Sequence, residues 1–349
     1  MRSFQLSSVL YLAILLTRVA PSVYSDSVYK VNSYLNSKYS GPKIVIEKFY
    51  EQSHFSRLGA AYVCESLFQE SRDRQVWPPP RFPPEETVDL FTMGGSIPLT
   101  SFYFSQKYAD GKALVGTWSK EMIESYIKAT KQLANSIYKA KNVGVRVKNR
   151  KVNRRISRYG YRSTRDVLET MHVWKKAIMN KHVLVIGSER PWLEGMLLAF
   201  GAKLVTTLEY GSIIAEHPQL NSITVTQLNH AVRENATKYL GSFDTAFSYS
   251  SIEHAGLGRY GDSINPFGDL EEVARISCLL RKNGIFFLGF GIGKDKIEWN
   301  AHRIYGKKRL PLVTANYVLR DIIGEFHWNK ADWKVQPILV LENQFSYGE

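Results

Sequence analysis

A doubly wound, mostly parallel α/β sheet is the fold predicted for residues 164–349. Two observations carry that prediction. From Thr164 onward helical patterns alternate with short, continuous apolar runs, as strands buried on both faces require. The runs are only five to eight residues long and lie between longer amphipathic stretches, so they read as strands rather than helices.

The elements follow in order. A helix over Thr164–Met179 leads into a strand, His182–Gly187. A second helix, Pro191–Phe200, stops at Gly201, a residue suited to the left-handed turn that closes a helix. Lys203–Tyr210 is the next strand, Ser222–Thr226 a short third and Phe243–Ser248 a fourth. An amphipathic helix, Asp269–Leu280, is followed by Asn283-Gly284, a strand at Ile285–Phe290, and Val335–Leu341 closing the sheet. Ligands of such a sheet sit beyond the carboxyl ends of its strands.

Residues 1–25 read as a secretory signal. Arg2 precedes the apolar run Val9–Leu16, small residues lead to Ser25, and the mature chain is expected to open at Asp26. An uncleaved membrane anchor is the alternative, although Arg18 interrupts the run and its length is short for a span. The sequon Asn235-Ala236-Thr237 fits a chain in the secretory pathway. Residues 26–163 form an N-terminal accessory region with helical patterns at Glu47–Gln69 and Ser119–Tyr138. Between them Trp77–Pro84 carries five prolines and must be extended, packing across its own domain or docking in an aromatic groove.

With 44% hydrophobic and 22% charged residues the chain is globular, and its net charge of +14 is uneven. Residues 129–165 hold twelve Lys or Arg and no Asp or Glu, suited to an anionic surface or glycan, or to a solvated linker. No nucleic-acid module accompanies them, so no specific nucleic acid is predicted. Cys64 and Cys278 can form at most one bridge; Cys278 falls on the apolar side of its helix, which points to a buried free thiol. No Cys/His cluster has zinc spacing, and no metal is expected.

The chemistry-bearing motifs sit at strand ends. Val185-Ile186-Gly187-Ser188-Glu189-Arg190-Pro191 closes the first strand, and Glu209 ends the second, 22 residues after Gly187. The fourth strand runs into Ser250-Ser251-Ile252-Glu253-His254. The loop Gly256-Leu257-Gly258-Arg259-Tyr260-Gly261-Asp262 and the stretch Asn300-Ala301-His302-Arg303 follow. This half resembles the class I S-adenosylmethionine-dependent methyltransferases. Blocks between Gly187 and Gly306 narrow the resemblance to a methyltransferase-like family catalogued as domain of unknown function 268.

The resemblance implies a fold, a donor and a set of roles. S-adenosylmethionine would lie against Gly187, Ser188, Glu209, Tyr210 and Ser250, with Glu209 accepting from the ribose hydroxyls. His254 would serve as base with Glu253 beside it, and Arg259, Tyr260, Asp262, His302 and Arg303 would meet an unidentified acceptor, acidic or glycan-like. The glycine turn departs from Gly-x-Gly-x-Gly, with Glu189 and Pro191 at its second and third positions. Glu189 and Glu194 near a helix start disfavour a pyrophosphate, and hence NAD, more than a sulfonium donor. A non-catalytic binding protein that keeps the fold is the other reading. A cytosolic donor and a secretory signal coexist if the donor is imported, if the segment is an anchor, or if the donor is no longer used.

Overall fold

The computed structural model describes residues 64–69, 78–103, 116–142, 156–157, 159–345 and 347. The predicted signal, most of the Glu47–Gln69 pattern and residues 143–155 of the basic segment lie outside the described residues.

In chain order, the N-terminal region contributes a 3-10 turn Cys64–Phe68, α1 (Val88–Thr92), β1 (Leu99–Ser101), β2 (Gly116–Trp118) and the long α2 (Lys120–Asn142). Then come α3 (Gly160–Val173), β3 (His182–Ile186), α4 (Trp192–Ala199), β4 (Leu204–Glu209), β5 (Ile213–Ala215) and β6 (Leu220–Thr224). They are followed by α5 (Val225–Glu234), α6 (Ala236–Tyr239), β7 (Phe243–Tyr249), α7 (Gly268–Leu279) and β8 (Leu280–Gly289). The chain continues through β9 (Lys296–Trp299), β10 (His302–Ile304), α8 (Leu310–Val313), β11 (Tyr317–Ile323) and β12 (Ile338–Asn343).

Seven strands form one sheet in the order β11-β12-β8-β7-β3-β4-β6. The pairs β3–β4, β4–β6, β3–β7 and β7–β8 are parallel, whereas β12 runs antiparallel to both its neighbours. Numbered by appearance within the sheet the order is 3-2-1-4-5-7-6. A dinucleotide-binding sheet has 3-2-1-4-5-6. The reversed seventh strand, inserted between the fifth and sixth, gives the class I methyltransferase arrangement.

Alternation along the central strands explains why both faces are covered. Val183 and Val185 of β3 enter a core with Ile123, Met171, Leu193 and Met196 from α2, α3 and α4. Leu184 and Ile186 point the other way, into a core with Leu228, Val232, Val273, Ile276 and Leu312 from α5, α7 and α8. Every second residue of β3 therefore serves a different layer.

The described parts of the N-terminal region share these two cores. β1 pairs parallel with β9, and β2 with β5. Helix α2 crosses α4 at Gly195, where a Cβ would meet Tyr126 Cβ at 2.5 Å. The proline segment packs on its own molecule: Trp299 Nε1 donates to Pro80 O at 2.8 Å and Tyr103 OH to Pro79 O at 3.0 Å.

Four expectations are corrected. Cys278 is not a free thiol: it is disulfide-bonded to Cys64, joining the 3-10 turn to α7. Val335–Leu341 does not close the sheet as its last strand, because β12 pairs on both sides and β11 forms the edge. The short third strand ends at Thr224, which caps α5 through a reciprocal capping box with Gln227. The helix before β3 begins at Gly160 rather than Thr164.

Candidate functional site

The carboxyl ends of β3, β4 and β7 meet at the point where the strand order reverses. A cavity of about 520 Å³ opens there, within the range of small-molecule sites. Its wall includes Gly187, Ser188, Glu209, Tyr210, Ser250, Glu253 and His254, together with Arg259, Tyr260, Asp262, His302 and Arg303. The fold thus brings together the donor-side, base and acceptor-side candidates named from the sequence.

At the β3 end, Gly187 adopts φ +70°, and a Cβ there would overlap the Ser251 side chain. Glycine is required because the β7 loop comes that close. The Glu209 carboxylate holds this turn: Ser188 N donates to Oε2 at 2.8 Å and Tyr210 N to Oε1 at 2.9 Å. Each oxygen keeps a second lone pair. Burial and nearby Glu189 oppose its ionisation, while the two N–H groups favour it; the balance lies above the usual carboxylate value. Tyr210 itself is a phenol that burial keeps protonated.

Glu194 does not face the cavity mouth. It is fully buried beneath the turn, where Thr207 Oγ1 donates to its Oε1 at 2.8 Å. Ser188 Oγ lies 2.8 Å from Arg190 O and 3.1 Å from Glu194 Oε2. A hydroxyl has one proton, so Ser188 donates to the Arg190 carbonyl or to Glu194, not to both at once. Burial pushes the Glu194 pKa up to about 7, against these hydroxyls, which favour the ionised form. The expectation that Glu194 repels phosphate at the helix start is therefore corrected; of Glu189 and Glu194, only Glu189 lines the cavity.

On the far wall, Ser250 turns the chain at φ +53° and starts the segment carrying Glu253 and His254. His254 Nδ1 lies 2.5 Å from Ala301 O. The carbonyl can only accept, so Nδ1 carries the proton and Nε2 presents a lone pair. Burial and the Arg259 charge keep this imidazole neutral, well below its usual pKa. Glu253 Oε1 is 3.9 Å from Nε2, and burial raises this carboxyl to about 7.

The acceptor-side candidates differ in what they can offer. Asp262 takes N–H bonds from Gly256, Gly258 and Tyr260, at 2.7–3.1 Å, and so staples its own loop. Arg303 is 1% exposed and donates to Ala255 O and Asn265 O, beside Asp269. Its guanidinium braces the loop from below. Arg259 donates to Ala301 O at 3.1 Å and lies over the Tyr260 ring. His302 sits 3.6 Å from Glu298 and packs on Trp333. Gln336 and Trp333, from the β11–β12 connection, also line the cavity. Sequence reasoning missed both, since nothing local marks them and only the reversed β12 brings that loop to the site. Among the described residues no group of three His, Cys, Asp or Glu could hold a metal ion.

Residues 180–334 match the model of the family described as "Caenorhabditis protein of unknown function, DUF268". The matched stretch contains the whole Gly187–Arg303 wall, though not Gln336. Comparison with curated protein sequences gives no match. Among solved structures, a protein named "Putative hemolysin" from Streptococcus thermophilus aligns with 54% of this chain and 69% of its own, at 14% identity and TM-score 0.37. The N-methyltransferase NodS from Bradyrhizobium japonicum WM9 aligns at 9% identity and TM-score 0.36, over 52% of this chain and 97% of its own. An S-adenosylmethionine dependent methyltransferase from Mesorhizobium loti gives 11% and 0.33, over 51% and 98%.

Proposed function

We propose that this chain is an S-adenosylmethionine-dependent methyltransferase. The observation carrying that reading is a single cavity at the sheet's reversal point, with a strand-tip carboxylate, Glu209, and a neutral imidazole, His254, both in its wall. The residues present fit the donor. Glu209 has lone pairs left for two hydroxyls, and Glu189 and Glu209 favour a cationic ligand over a pyrophosphate. When bound, the donor supplies a methyl group on a sulfonium.

The chain's own residues supply position and proton handling. Gly187, Ser188 and Glu209 form one face of the donor side, fixed by the bonds from Ser188 N to the Glu209 carboxylate and from Gly187 N to Leu208 O. His254 Nε2 is unprotonated at neutral pH and can take a proton from the acceptor. Glu253, when ionised, stabilises the imidazolium that results.

Calorimetric titration with S-adenosylmethionine, S-adenosylhomocysteine and NAD tests this. Micromolar binding of the adenosyl compounds, about −8 kcal/mol, is expected, with none of NAD. Glu209→Ala should lose about 1.5–3 kcal/mol of that, while His254→Ala keeps donor affinity and loses turnover. A flat titration on folded protein rejects the enzyme reading. It would favour a binding protein, for which the blocked turn at Glu189 and Pro191 and the two backbone bonds on Glu209 speak.

We also propose entry into the secretory pathway. The Cys64–Cys278 disulfide suits an oxidising compartment, and Asn235 is exposed at the corner between α5 and α6. Expressed protein should begin near Asp26 and lose mass with glycosidase; an unmodified chain that starts at Met1 overturns the proposal.

A further inference from the structure

We infer that Arg259 is a positioning residue for His254, acting through the Ala301 carbonyl that both side chains hold. This rests on the reading of His254 as the base of the site, and it gives Arg259 a role other than meeting the acceptor. The geometry is a convergence on one oxygen. His254 Nδ1 lies 2.5 Å from Ala301 O, and an Arg259 Nη donates to the same atom at 3.1 Å. A carbonyl oxygen has two lone pairs, so two donors fill it. Ala301 is fully buried, which leaves that oxygen to the protein's own groups.

Three segments are held so that they meet there. In the β9–β10 turn Ala301 N donates to Glu298 O at 2.8 Å and Asn300 adopts φ +52°, which fixes the direction of the Ala301 peptide. The loop carrying Arg259 is fixed by the Asp262 carboxylate, which takes the N–H groups of Gly256, Gly258 and Tyr260. His254 ends the short 3-10 turn Ile252–His254, where its own N–H donates to Ser251 O at 3.0 Å. The Tyr260 ring packs against both partners: Arg259 Cζ lies 5.0 Å from its centroid, and the His254 ring meets it edge-on at 5.4 Å. A guanidinium anchored in this way keeps the carbonyl aimed at Nδ1. The proton then stays on Nδ1 and the lone pair on Nε2.

The charge on Arg259 works in the same direction. Burial is the main reason that His254 stays neutral, and the Arg259 charge comes next; His302 and Arg303, both on β10, also oppose its protonation. Burial raises the Glu253 carboxyl, whereas the Arg259 charge favours its ionised form, and Oε1 of that carboxyl lies 3.9 Å from His254 Nε2. One guanidinium thus disfavours a proton on either member of the pair, the state a base needs before it takes one. Arg303 does not duplicate this role, because it donates to Ala255 O and Asn265 O instead. Of the three cationic or titratable neighbours, Arg259 is the one that shares the carbonyl with His254.

Nitrogen NMR of ring-labelled histidine in the full chain tests the assignment, with His254→Gln identifying the signal among the eight histidines. The parent should show the Nδ1–H tautomer and a ring that stays neutral to well below pH 6.5. Arg259→Gln retains a donor for the carbonyl and loses the charge, so the proton affinity of His254 should rise about tenfold with the tautomer kept. Arg259→Ala loses both and should give mixed tautomers as well. Arg259→Lys restores the charge and should bring the titration midpoint most of the way back to that of the parent. A His254 signal unchanged by Gln and Ala overturns the proposal, as do equal shifts in Gln and Lys, or an Nε2–H tautomer in the parent. Should Arg259→Ala not fold, the Gln and Lys variants decide between these outcomes. Titration of the parent with S-adenosylhomocysteine keeps the two readings apart: no binding rejects methyl transfer and leaves the His254 result standing.

Discussion

Glu194 shows how burial, not residue type, sets a group's role. In sequence it is an acid near a helix start; in the fold it is a fully buried strut between Ser188 and Thr207. Its pKa is about 4.5 in the unfolded chain and about 7 in the folded one, so the folded state holds the extra proton between those values. Stability is then fully present below about pH 4.5 and falls as pH rises toward 7, by about 3 kcal/mol for this group. Glu194→Gln cannot ionise and should remove that part of the slope. Denaturant unfolding at pH 5 and pH 8 should show the variant gaining on the parent at the higher pH. An unchanged difference between the two would mean that Glu194 is ionised throughout. Glu253 titrates over the same window and leaves a residual slope.

At the scale of elements, the turn after β3 and the loop after β7 are built as a pair. Gly187 has a left-handed φ and no room for a Cβ beside Ser251. Gly187→Ala should therefore cost about 2–4 kcal/mol, from the backbone conformation and the overlap together. Ser251→Gly in the same chain should recover the overlap but not the conformational part, roughly half. Thermal melts of the two singles and the double check this; strict additivity would show that the loops are not in contact. The same pairing explains why a turn lacking the second and third glycines still closes. Its backbone is fixed by Glu209 and Ser251 rather than left open.

At the scale of the whole molecule, the disulfide ties the N-terminal region to α7 across 214 residues. Closing so long a loop restrains the unfolded chain strongly, and removing a native bridge typically costs 2–5 kcal/mol. Denatured, unreduced protein should show no reactive thiol. Reductant should lower the melting temperature of the parent and leave a Cys64→Ser/Cys278→Ser variant unchanged. A melting temperature indifferent to reductant would show that the bridge does not form.

The sequence alone determined the layers: alternation in β3 put Val183 and Val185 against one set of helices and Leu184 and Ile186 against another. It also placed Gly187, Glu209 and Ser250–His254 at strand ends, because a parallel sheet puts successive carboxyl ends on one edge. Thr224-x-x-Gln227 was legible as a helix start and went unread. Tertiary structure decided the rest. The order 3-2-1-4-5-7-6 depends on how a reversed strand pairs, and that choice carries Gln336 and Trp333 into the site from a loop with no motif of its own. It also turned Asp262 and Arg303 toward backbone groups, since a polar side chain buried beneath a loop is held by whichever unsatisfied N–H or C=O lies within reach.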